Sequence, residues 1–395
     1  LICRCPVLEI RAGHIELSLN KLANLMSTRP KSKWSNSKAQ EWFKGYPWIC
    51  GFNFLPSSSV NFLEMWTSDT FDPTSIEQEL GLAASVGFNA VRVNLHFLVW
   101  KHDRNGLINR IEQFLTIAWS KNIYTVLVPF DDCGFGGLEP KYGQQLAPIE
   151  GIHNSRAVAS PGRATVMDRT QWKDLKEFVI DVIGHFATDN RILFWDLYNE
   201  PGNRMIFEKD ACREYDTALE ANSLALMKLT FEWARNVGPT QPLTVGAWRT
   251  APVGTNDFDF DNVIDQTALR LSDIVTFHAY LDRNRILDCI ESLSKLDRPV
   301  FLTEWMARAV GSCIDTQLEL LQNHNIGCFN WGMVRGRTQT YLPWPRPLLE
   351  QHGINPNEAV WFHDIFWPDG QPYDPAEIEI LQRLMSTPQN IIGGA

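Results

Sequence analysis

Short apolar runs rich in β-branched residues alternate with helical patterns along most of this chain. Such runs are typical of strands buried on both faces, as parallel sheets require. Alternating strands and helices imply right-handed crossovers, and eight repeats predict closure into a single-domain (β/α)8 TIM barrel of the α/β class. The eight predicted strands are Ile49–Pro56, Ala90–Leu95, Tyr124–Asp132, Ile192–Glu200, Leu243–Trp248, Ile274–Tyr280, Val300–Met306 and Gly327–Met333.

The helical patterns between these runs have recognisable ends and faces. Asp72 and Pro73 supply an N-cap and a first-turn proline to one helix, and a glycine follows its last periodic residue. The segment WKDLKEFVIDVIGHF places its large apolar side chains on one stripe: Leu175, Phe178, Val179, Val182, Ile183 and Phe186.

Two connections are longer than the others. The stretch from Cys133 to Thr170 follows the third predicted strand and is rich in Gly and Pro. A loop this long in a compact domain is usually functional, and loops after barrel strands form the face where active sites are built. The long aromatic region after Met333 is predicted to be the eighth βα loop and a closing helix. We therefore predict one catalytic barrel domain over residues 26–395.

Composition narrows the possible partners. The formal net charge is −10, whereas nucleic acids and anionic membranes attract basic surfaces, so neither is an expected partner. No apolar run reaches the roughly 18 residues of a membrane span. The 8 Cys residues form no C-x-x-C pair or zinc-type spacing, which favours reduced, buried thiols. The 15 Trp residues fit either a large core or platforms for sugar rings.

The first 25 residues differ from the barrel pattern. They do not begin with Met, and they lack the ordered basic, apolar and small-residue parts of a signal peptide. Met26 opens a polar stretch that resembles a protein start. We expect residues 1–25 to be a leader outside the fold and the protein to be cytoplasmic, with secretion not excluded. A genuine extra helix is the alternative, since ELSLNKLANLM has helical periodicity.

Two glutamates stand where predicted strands end. The fourth strand ends in WDLYNEPGN, which contains Asn199 and Glu200, and the seventh ends in FLTEWMAR, which contains Glu304. Carboxylates at the C-terminal ends of different barrel strands can face each other across the barrel mouth. Glycoside hydrolysis needs this arrangement, because one carboxyl protonates the leaving oxygen while the other acts as an anion.

With these motifs, the sequence resembles glycoside hydrolase clan A, and within it family 5, the cellulase family, over roughly residues 49–335. The resemblance implies a retaining β-glycosidase without cofactor or metal, in which Glu200 is the general acid/base and Glu304 the nucleophile. A β-1,4-glucanase or β-glucosidase is the first activity implied, acting on a carbohydrate substrate. Further marks of the family occur in the expected order: Arg92 in AVRVNL, His278 and Tyr280 in VTFHAY, and Trp331 in FNWG.

Each residue near the glutamates also has a structural interpretation. Asn199 is expected to bind the sugar 2-hydroxyl, or else to serve in a turn. Arg92 is expected to keep Glu304 ionised, or else to belong to a barrel ion pair. His278 and Tyr280 are expected to orient Glu304 or the substrate, with a satisfied core pair as the alternative.

Trp331 is favoured as a sugar platform over an ordinary core side chain. The third strand departs from the family, because PFDDCGF stands where many members carry a His-containing motif. Asp131 and Asp132 in this segment are expected to bind sugar hydroxyls or a metal, and loop capping is equally compatible. The sugar, its linkage, endo or exo action and the oligomeric state stay open.

Two other classes of function are considered. A metal-dependent barrel isomerase or lyase would need clustered ligands, for which Asp131, Asp132, Glu200 and Glu304 are a possible set. A catalytically silent carbohydrate-binding barrel would bind sugar without turnover. The presence of both glutamates argues against the silent barrel.

Removal of the leader is a direct test of the predicted domain boundary. A chain that starts at Met26 should keep its melting temperature and its rate on a glycoside substrate, because residues 1–25 do not fit the barrel pattern. A large drop in either quantity would show that the segment is structural.

Overall fold

The computed structural model describes residues 32–252, 254–255, 257–354 and 360–386. The eight predicted strands are all present, and they run parallel: β1 (Cys50–Asn53), β2 (Ala90–Asn94), β3 (Tyr124–Val128), β4 (Ile192–Asp196), β5 (Leu243–Thr244), β6 (Val275–His278), β7 (Val300–Trp305) and β8 (Gly327–Trp331).

The sheet closes on itself. Its order is β6-β7-β8-β1-β2-β3-β4-β5, and a parallel bridge between Ala247 and Phe277 joins the two ends. The Ala247 N–H donates to the Thr276 carbonyl at 3.0 Å, and the His278 N–H donates to the Ala247 carbonyl at 2.8 Å. The predicted (β/α)8 barrel is confirmed.

Helices occupy the connections between strands, together with 3-10 turns at Arg169–Gln171 and Arg308–Val310. Asp72 caps α3 as predicted, since its side chain accepts from the Thr74 and Ser75 N–H groups. The bounds are α1 (Asn36–Phe43), α2 (Phe62–Trp66), α3 (Pro73–Ser85), α4 (Phe97–His102), α5 (Arg104–Ser120), α6 (Arg163–Met167), α7 (Trp172–His185), α8 (Ala218–Val237), α9 (Val263–Leu271), α10 (Arg283–Ser294), α11 (Ile314–Asn323), α12 (Arg346–Gln351) and α13 (Pro375–Ser386).

Helix α1 covers the N-terminal end of the barrel. The Phe43 ring lies 5.1 Å from the Phe301 ring, which lies 5.2 Å from that of Phe194. A Cβ on Gly51 would lie 2.6 Å from the Phe329 ring, so glycine leaves the space that this ring occupies. The buried floor comprises Ala39, Phe43, Ile49, Ala90, Val126, Leu193, Phe194, Ile274, Phe301 and Phe329.

The opposite, C-terminal end carries the long connections. Beyond β3 and β4, the short segments Phe130–Asp131 and Tyr198–Asn199 pair in parallel and extend the barrel wall. A hairpin of Met205–Glu208 and Ala211–Glu214 follows β4. The predicted long loops after β3 and β8 are present at this end, and a closing helix, α13, follows the second of them.

The predicted leader, residues 1–25, lies outside the described residues. Within the described ranges, no helix combines the length and apolarity needed to cross a bilayer.

Candidate active site

Arg92 lies at the centre of the upper barrel layer. Its Nε donates to Asp196 at 2.9 Å, and its Nη1 donates to Asn53 at 2.8 Å and to Glu304 at 2.9 Å. Its Nη2 contacts Asn199 at 2.7 Å and Asp196 at 2.8 Å. Each of the three guanidinium nitrogens therefore donates at least one hydrogen bond to a buried acceptor. Although burial opposes the charge, Asp196 and Glu304 raise the pKa of Arg92 above its usual range.

Glu304 enters the barrel mouth through an irregularity in β7. The register of β6 with β7 shifts between Phe277 and His278, so that His278 pairs with Glu304. Such irregularities re-aim side chains near active sites. Besides its bond from Arg92, Glu304 accepts from the Tyr280 hydroxyl at 2.8 Å. Burial raises the pKa of Glu304, whereas Arg92 and Tyr280 act in the opposite direction.

Glu200 begins a sharp turn after β4. Its φ is 43°, in the left-handed region that costs a non-glycine residue about 1–3 kcal/mol. Asp132 holds this turn from both sides, because it accepts from the Tyr198 hydroxyl at 2.9 Å and the Gly202 N–H at 2.7 Å. The Ser223 hydroxyl donates to the same carboxylate at 2.6 Å. Burial raises the pKa of Asp132 to about 6.

Three different groups contact the Glu200 carboxyl. The Nδ1 atom of His278 lies 3.0 Å from Oε1, and Oε2 accepts from the Asn203 amide at 2.7 Å and the Cys133 thiol at 3.1 Å. Burial raises the pKa of Glu200, while the Cys133 and Asn203 bonds oppose that rise. Burial also lowers the pKa of His278 to about 4, so this imidazole is neutral near neutral pH.

The two carboxyl groups face each other in unlike surroundings. An oxygen of Glu200 and an oxygen of Glu304 lie within 4.8 Å of one another. Glu304 is paired with a guanidinium, whereas the groups on Glu200 are an imidazole, an amide and a thiol. Opposite charge favours ionisation of its partner, so the surroundings favour the anion at Glu304 more than at Glu200.

Asp131 and Asn199 form a polar wall beside the glutamates. Asp131 accepts from the Asn94 amide at 3.0 Å, the Asn199 amide at 2.9 Å and the Cys133 N–H at 2.8 Å. The Asn199 carbonyl oxygen accepts from Arg92, and its amide nitrogen donates to Asp131 at 2.9 Å and to the Cys133 sulfur at 3.4 Å, so both polar atoms of this side chain already have protein partners. Contact of either residue with sugar stays a prediction.

Aromatic rings form another wall. The partly exposed Trp331 stacks on His363, with ring centroids 6.0 Å apart and planes at 25°. The His363 ring also lies 5.3 Å from that of His153. Tyr280 contacts Trp344 edge-on at 5.1 Å. The exposed part of Trp331 therefore offers a flat face of the kind on which a sugar can stack.

These side chains line one cavity of about 550 Å³, within the usual range for small-molecule sites. All the predicted site residues line it except Asp132, whose contacts match the loop-capping alternative. Asn94 was missed, although strand alternation puts it on the same face as Arg92. Loop residues that line the cavity carry no periodic signal in the sequence. The other lining residues that sequence reasoning missed include Asn53, Cys133, His153, Trp248, Trp344 and His363.

The same centre bears on the metal-dependent alternative. Glu200, His278 and Glu304 bring one donor atom each within 4.8 Å of one another, as cation ligands can. However, both oxygens of Glu304 already accept hydrogen bonds, one of them from the cationic Arg92. A guanidinium in direct contact repels a second cation, and Asp131 and Asp132 do not belong to this group. The geometry therefore favours two carboxyls acting without a metal.

Comparison with known proteins identifies the family. The family model described as Cellulase (glycosyl hydrolase family 5) matches residues 51–335. The chain belongs to glycoside hydrolase family 5. It is therefore a glycosidase with the barrel of that family. A search of curated proteins gives no match to this chain.

Solved structures share the fold of this family 5 glycosidase at low identity. GH5_18 from Streptomyces cattleya, in complex with GlcNAc, has a TM-score of 0.55 and 14% identity, covering 86% of this chain and 81% of that chain. The endo-1,4-beta-mannanase from Rhizomucor miehei has a TM-score of 0.54 and 15% identity, covering 86% and 94%. The beta-mannanase from the blue mussel Mytilus edulis has a TM-score of 0.53 and 15% identity, covering 86% and 92%.

The bridging role of Arg92 can be tested in the glycosidase by Arg92→Lys. Lysine keeps the charge but has three donors for four buried acceptors, so at least one acceptor loses its partner, at about 1–3 kcal/mol. Chemical unfolding should show a free energy of unfolding lower by about 1–3 kcal/mol. The matched control is Arg104→Lys, where an arginine side chain that is 56% exposed pairs with Asp181, and it should change stability by less than about 1 kcal/mol. Equal effects of the two substitutions would contradict the role assigned to the network.

Proposed function

We propose that this glycosidase hydrolyses β-glycosides with retention of configuration in two steps. The observation that carries the proposal is the pair of facing carboxyls, Glu200 and Glu304, in unlike surroundings. Their oxygens lie within 4.8 Å of one another, near the separation of about 5–5.5 Å typical of retaining enzymes. Inverting enzymes need a wider gap, because a water molecule must fit between carboxylate and sugar.

In the first step, Glu304 attacks the anomeric carbon while protonated Glu200 gives its proton to the departing glycosidic oxygen. Arg92 and Tyr280 fix the two oxygens of Glu304, so the carboxylate meets the substrate with little freedom to rotate. The raised pKa of Glu200 keeps it protonated closer to neutral pH than an exposed glutamate. A covalent glycosyl-enzyme results.

In the second step, ionised Glu200 takes a proton from water, and the resulting hydroxide-like oxygen attacks the anomeric carbon. The bond to Glu304 breaks, and the sugar leaves with its original configuration. With its proton on Nδ1, the neutral His278 imidazole keeps its hydrogen bond to Oε1 of Glu200 in both steps, because that oxygen accepts whether or not the other carboxyl oxygen carries the acid proton.

For the substrate, we infer a β-mannoside first, with a β-glucoside as the alternative. The inference is supported by the solved structures of similar fold, which include mannanases and a variant of GH5_18 in complex with Manb1-4GlcNAc. Hydrolysis rates on a panel of 4-nitrophenyl β-mannoside, β-glucoside, β-xyloside and β-galactoside decide between them. A dominant rate on the glucoside would favour the alternative.

Chemical rescue by azide should distinguish the roles of the two glutamates. Glu304→Ala removes the nucleophile, so added azide should attack the vacated face directly and give the α-glycosyl azide. Glu200→Ala removes only proton transfer, so an aryl glycoside with a good leaving group should still form the intermediate. Azide should then replace water and give the β-glycosyl azide. NMR spectra of the products formed from the preferred aryl glycoside distinguish the α-glycosyl azide from the β-glycosyl azide.

Circular dichroism and melting temperatures should accompany both variants, to show that each is folded. The roles assigned to the glutamates would be abandoned if both variants gave the same anomer. They would also be abandoned if the wild-type enzyme released product of inverted configuration.

The Cys133 thiol should influence the pH above which Glu200 loses its proton and can no longer act as the acid. Its bond to Glu200 favours the carboxylate and so opposes the rise in pKa. Cys133→Ala removes that bond, so the pKa of Glu200 should rise and the acid form should persist to higher pH. The basic limb of the kcat/KM profile should therefore move to higher pH.

Cys133→Ser is the matched control, because a hydroxyl at the same place can still donate to Glu200. Its basic limb should stay nearer that of the wild type. An unchanged profile in Cys133→Ala would mean that the thiol does not act on the acid.

A further inference from the structure

The loops after β3 and β8 meet beside the loop that follows β1, because the Asn61 amide donates to the Arg156 carbonyl at 2.9 Å and the Arg337 N–H donates to the Ser57 carbonyl at 3.0 Å. The Asn154 N–H donates to the Thr338 carbonyl at 2.8 Å. The Gln339 amide donates to the Ile149 carbonyl at 2.7 Å and accepts from the Gly151 N–H at 3.2 Å. The rings of His153 and His363 add a contact between the same two loops, 5.3 Å apart. We call the segments that meet in this way, residues 149–154 and 338–342, the loop bridge.

The loop bridge stands on the side of the cavity where the proposed mechanism puts the glycon. Glu304 attacks the glycon, and Trp331 at the end of β8 offers that sugar a flat face. Trp331 stacks on His363, and His363 in turn contacts His153 of the loop bridge. A single imidazole, that of His363, therefore stands between the Trp331 platform and the loop bridge.

The leaving group must lie on the other side, beyond the acid. Next to Glu200, Trp248 donates through its indole N–H to the Pro201 carbonyl at 3.2 Å. Arg249 donates to the Gly202 carbonyl at 3.0 Å. These side chains come from the end of β5, across the barrel mouth from the loop bridge.

Burial differs between the two sides of the cavity. On the loop-bridge side, the lining residues Asn61, His153 and Asn154 are 3%, 5% and 8% exposed, while Phe62 and Val158 are partly exposed. On the other side, Trp248 and Arg249 are partly exposed, and Glu214 and Gln351 at the rim are exposed. The cavity is therefore more open where the leaving group would lie than where the glycon would lie.

We infer that the enzyme acts from the non-reducing end and releases the terminal sugar. The inference rests on the proposed function, because the glutamates' roles define which side holds the glycon. A sugar chain that continued beyond the glycon would run into the loop bridge, whereas the leaving part can extend through the open side. Chains are therefore shortened one residue at a time, and internal bonds are not reached.

The experiment uses β-1,4-linked mannopentaose and cellopentaose labelled at the reducing end with 2-aminobenzamide. Early in the reaction, the labelled tetrasaccharide should be the first labelled product, formed mole for mole with free monosaccharide. Labelled mono- or disaccharide, with unlabelled oligosaccharide, as the first products would overturn the inference while leaving the proposed glycosidase in place. Absence of hydrolysis of these chains and of all aryl β-glycosides would overturn the proposed function, and the inference with it.

A variant tests whether the loop bridge is the barrier. Gln339→Ala removes the amide bonds that join the loops, and Gln339 does not line the cavity. Internal cleavage products should rise at least severalfold, while kcat/KM on the preferred aryl glycoside stays within about threefold of wild type. The matched control is Gln322→Ala, whose amide bond to the Leu384 carbonyl joins α11 to α13 on the barrel exterior, and it should leave the product pattern unchanged. An unchanged pattern in Gln339→Ala would overturn the role of the loop bridge.

Discussion

The rest of the site depends on one buried guanidinium. Arg92 comes from β2, yet its acceptors come from β1, β4 and β7, so a single side chain ties together strands on several sides of the barrel. A charge buried this deeply is tolerated only when it is paired and its donors are satisfied. The same bonds that meet this requirement fix Glu304 and, through Asn199, the turn that carries Glu200. Stability of the barrel layer and geometry of the carboxyls thus have a common origin.

Features borne by the strands could be predicted from the sequence, because their physical cause is local. A strand buried on both faces needs an apolar run, and the point where the run stops marks the C-terminal end of the strand. Glu200 and Glu304 stand at or beside such points, and Arg92 interrupts the apolar run of β2, so their convergence at the barrel mouth follows once the sheet closes. Alternation along β2 also places Asn94 beside Arg92, a signal that was present in the sequence and was not used.

Features borne by the loops could not be predicted, because tertiary contacts decide them. His153 and His363 are far apart in the sequence and lie in segments that show no helical or strand periodicity, yet their ring centroids are 5.3 Å apart. Asp131 and Asp132 are adjacent and chemically identical, but one lines the cavity while the other holds the turn at Glu200. Sequence showed that this strand end departs from the family pattern. Only the pairing of Phe130–Asp131 with Tyr198–Asn199 shows that the departure bears on the position of Glu200.

The imidazole beside Glu200 supports acid chemistry because it is neutral. Burial lowers the pKa of His278 to about 4, so near neutral pH the ring whose Nδ1 lies 3.0 Å from Glu200 carries no positive charge. An imidazolium at the same place would stabilise the Glu200 anion and make it a weaker acid towards the glycosidic oxygen. The cation in direct contact with the carboxyl pair, Arg92, is instead bonded to Glu304. In the proposed mechanism, Glu304 must be an anion and Glu200 must hold a proton. The paired cation lies on Glu304, whereas Glu200 is buried without one. This unequal distribution, rather than any intrinsic difference between two glutamates, supports the separate roles proposed for them.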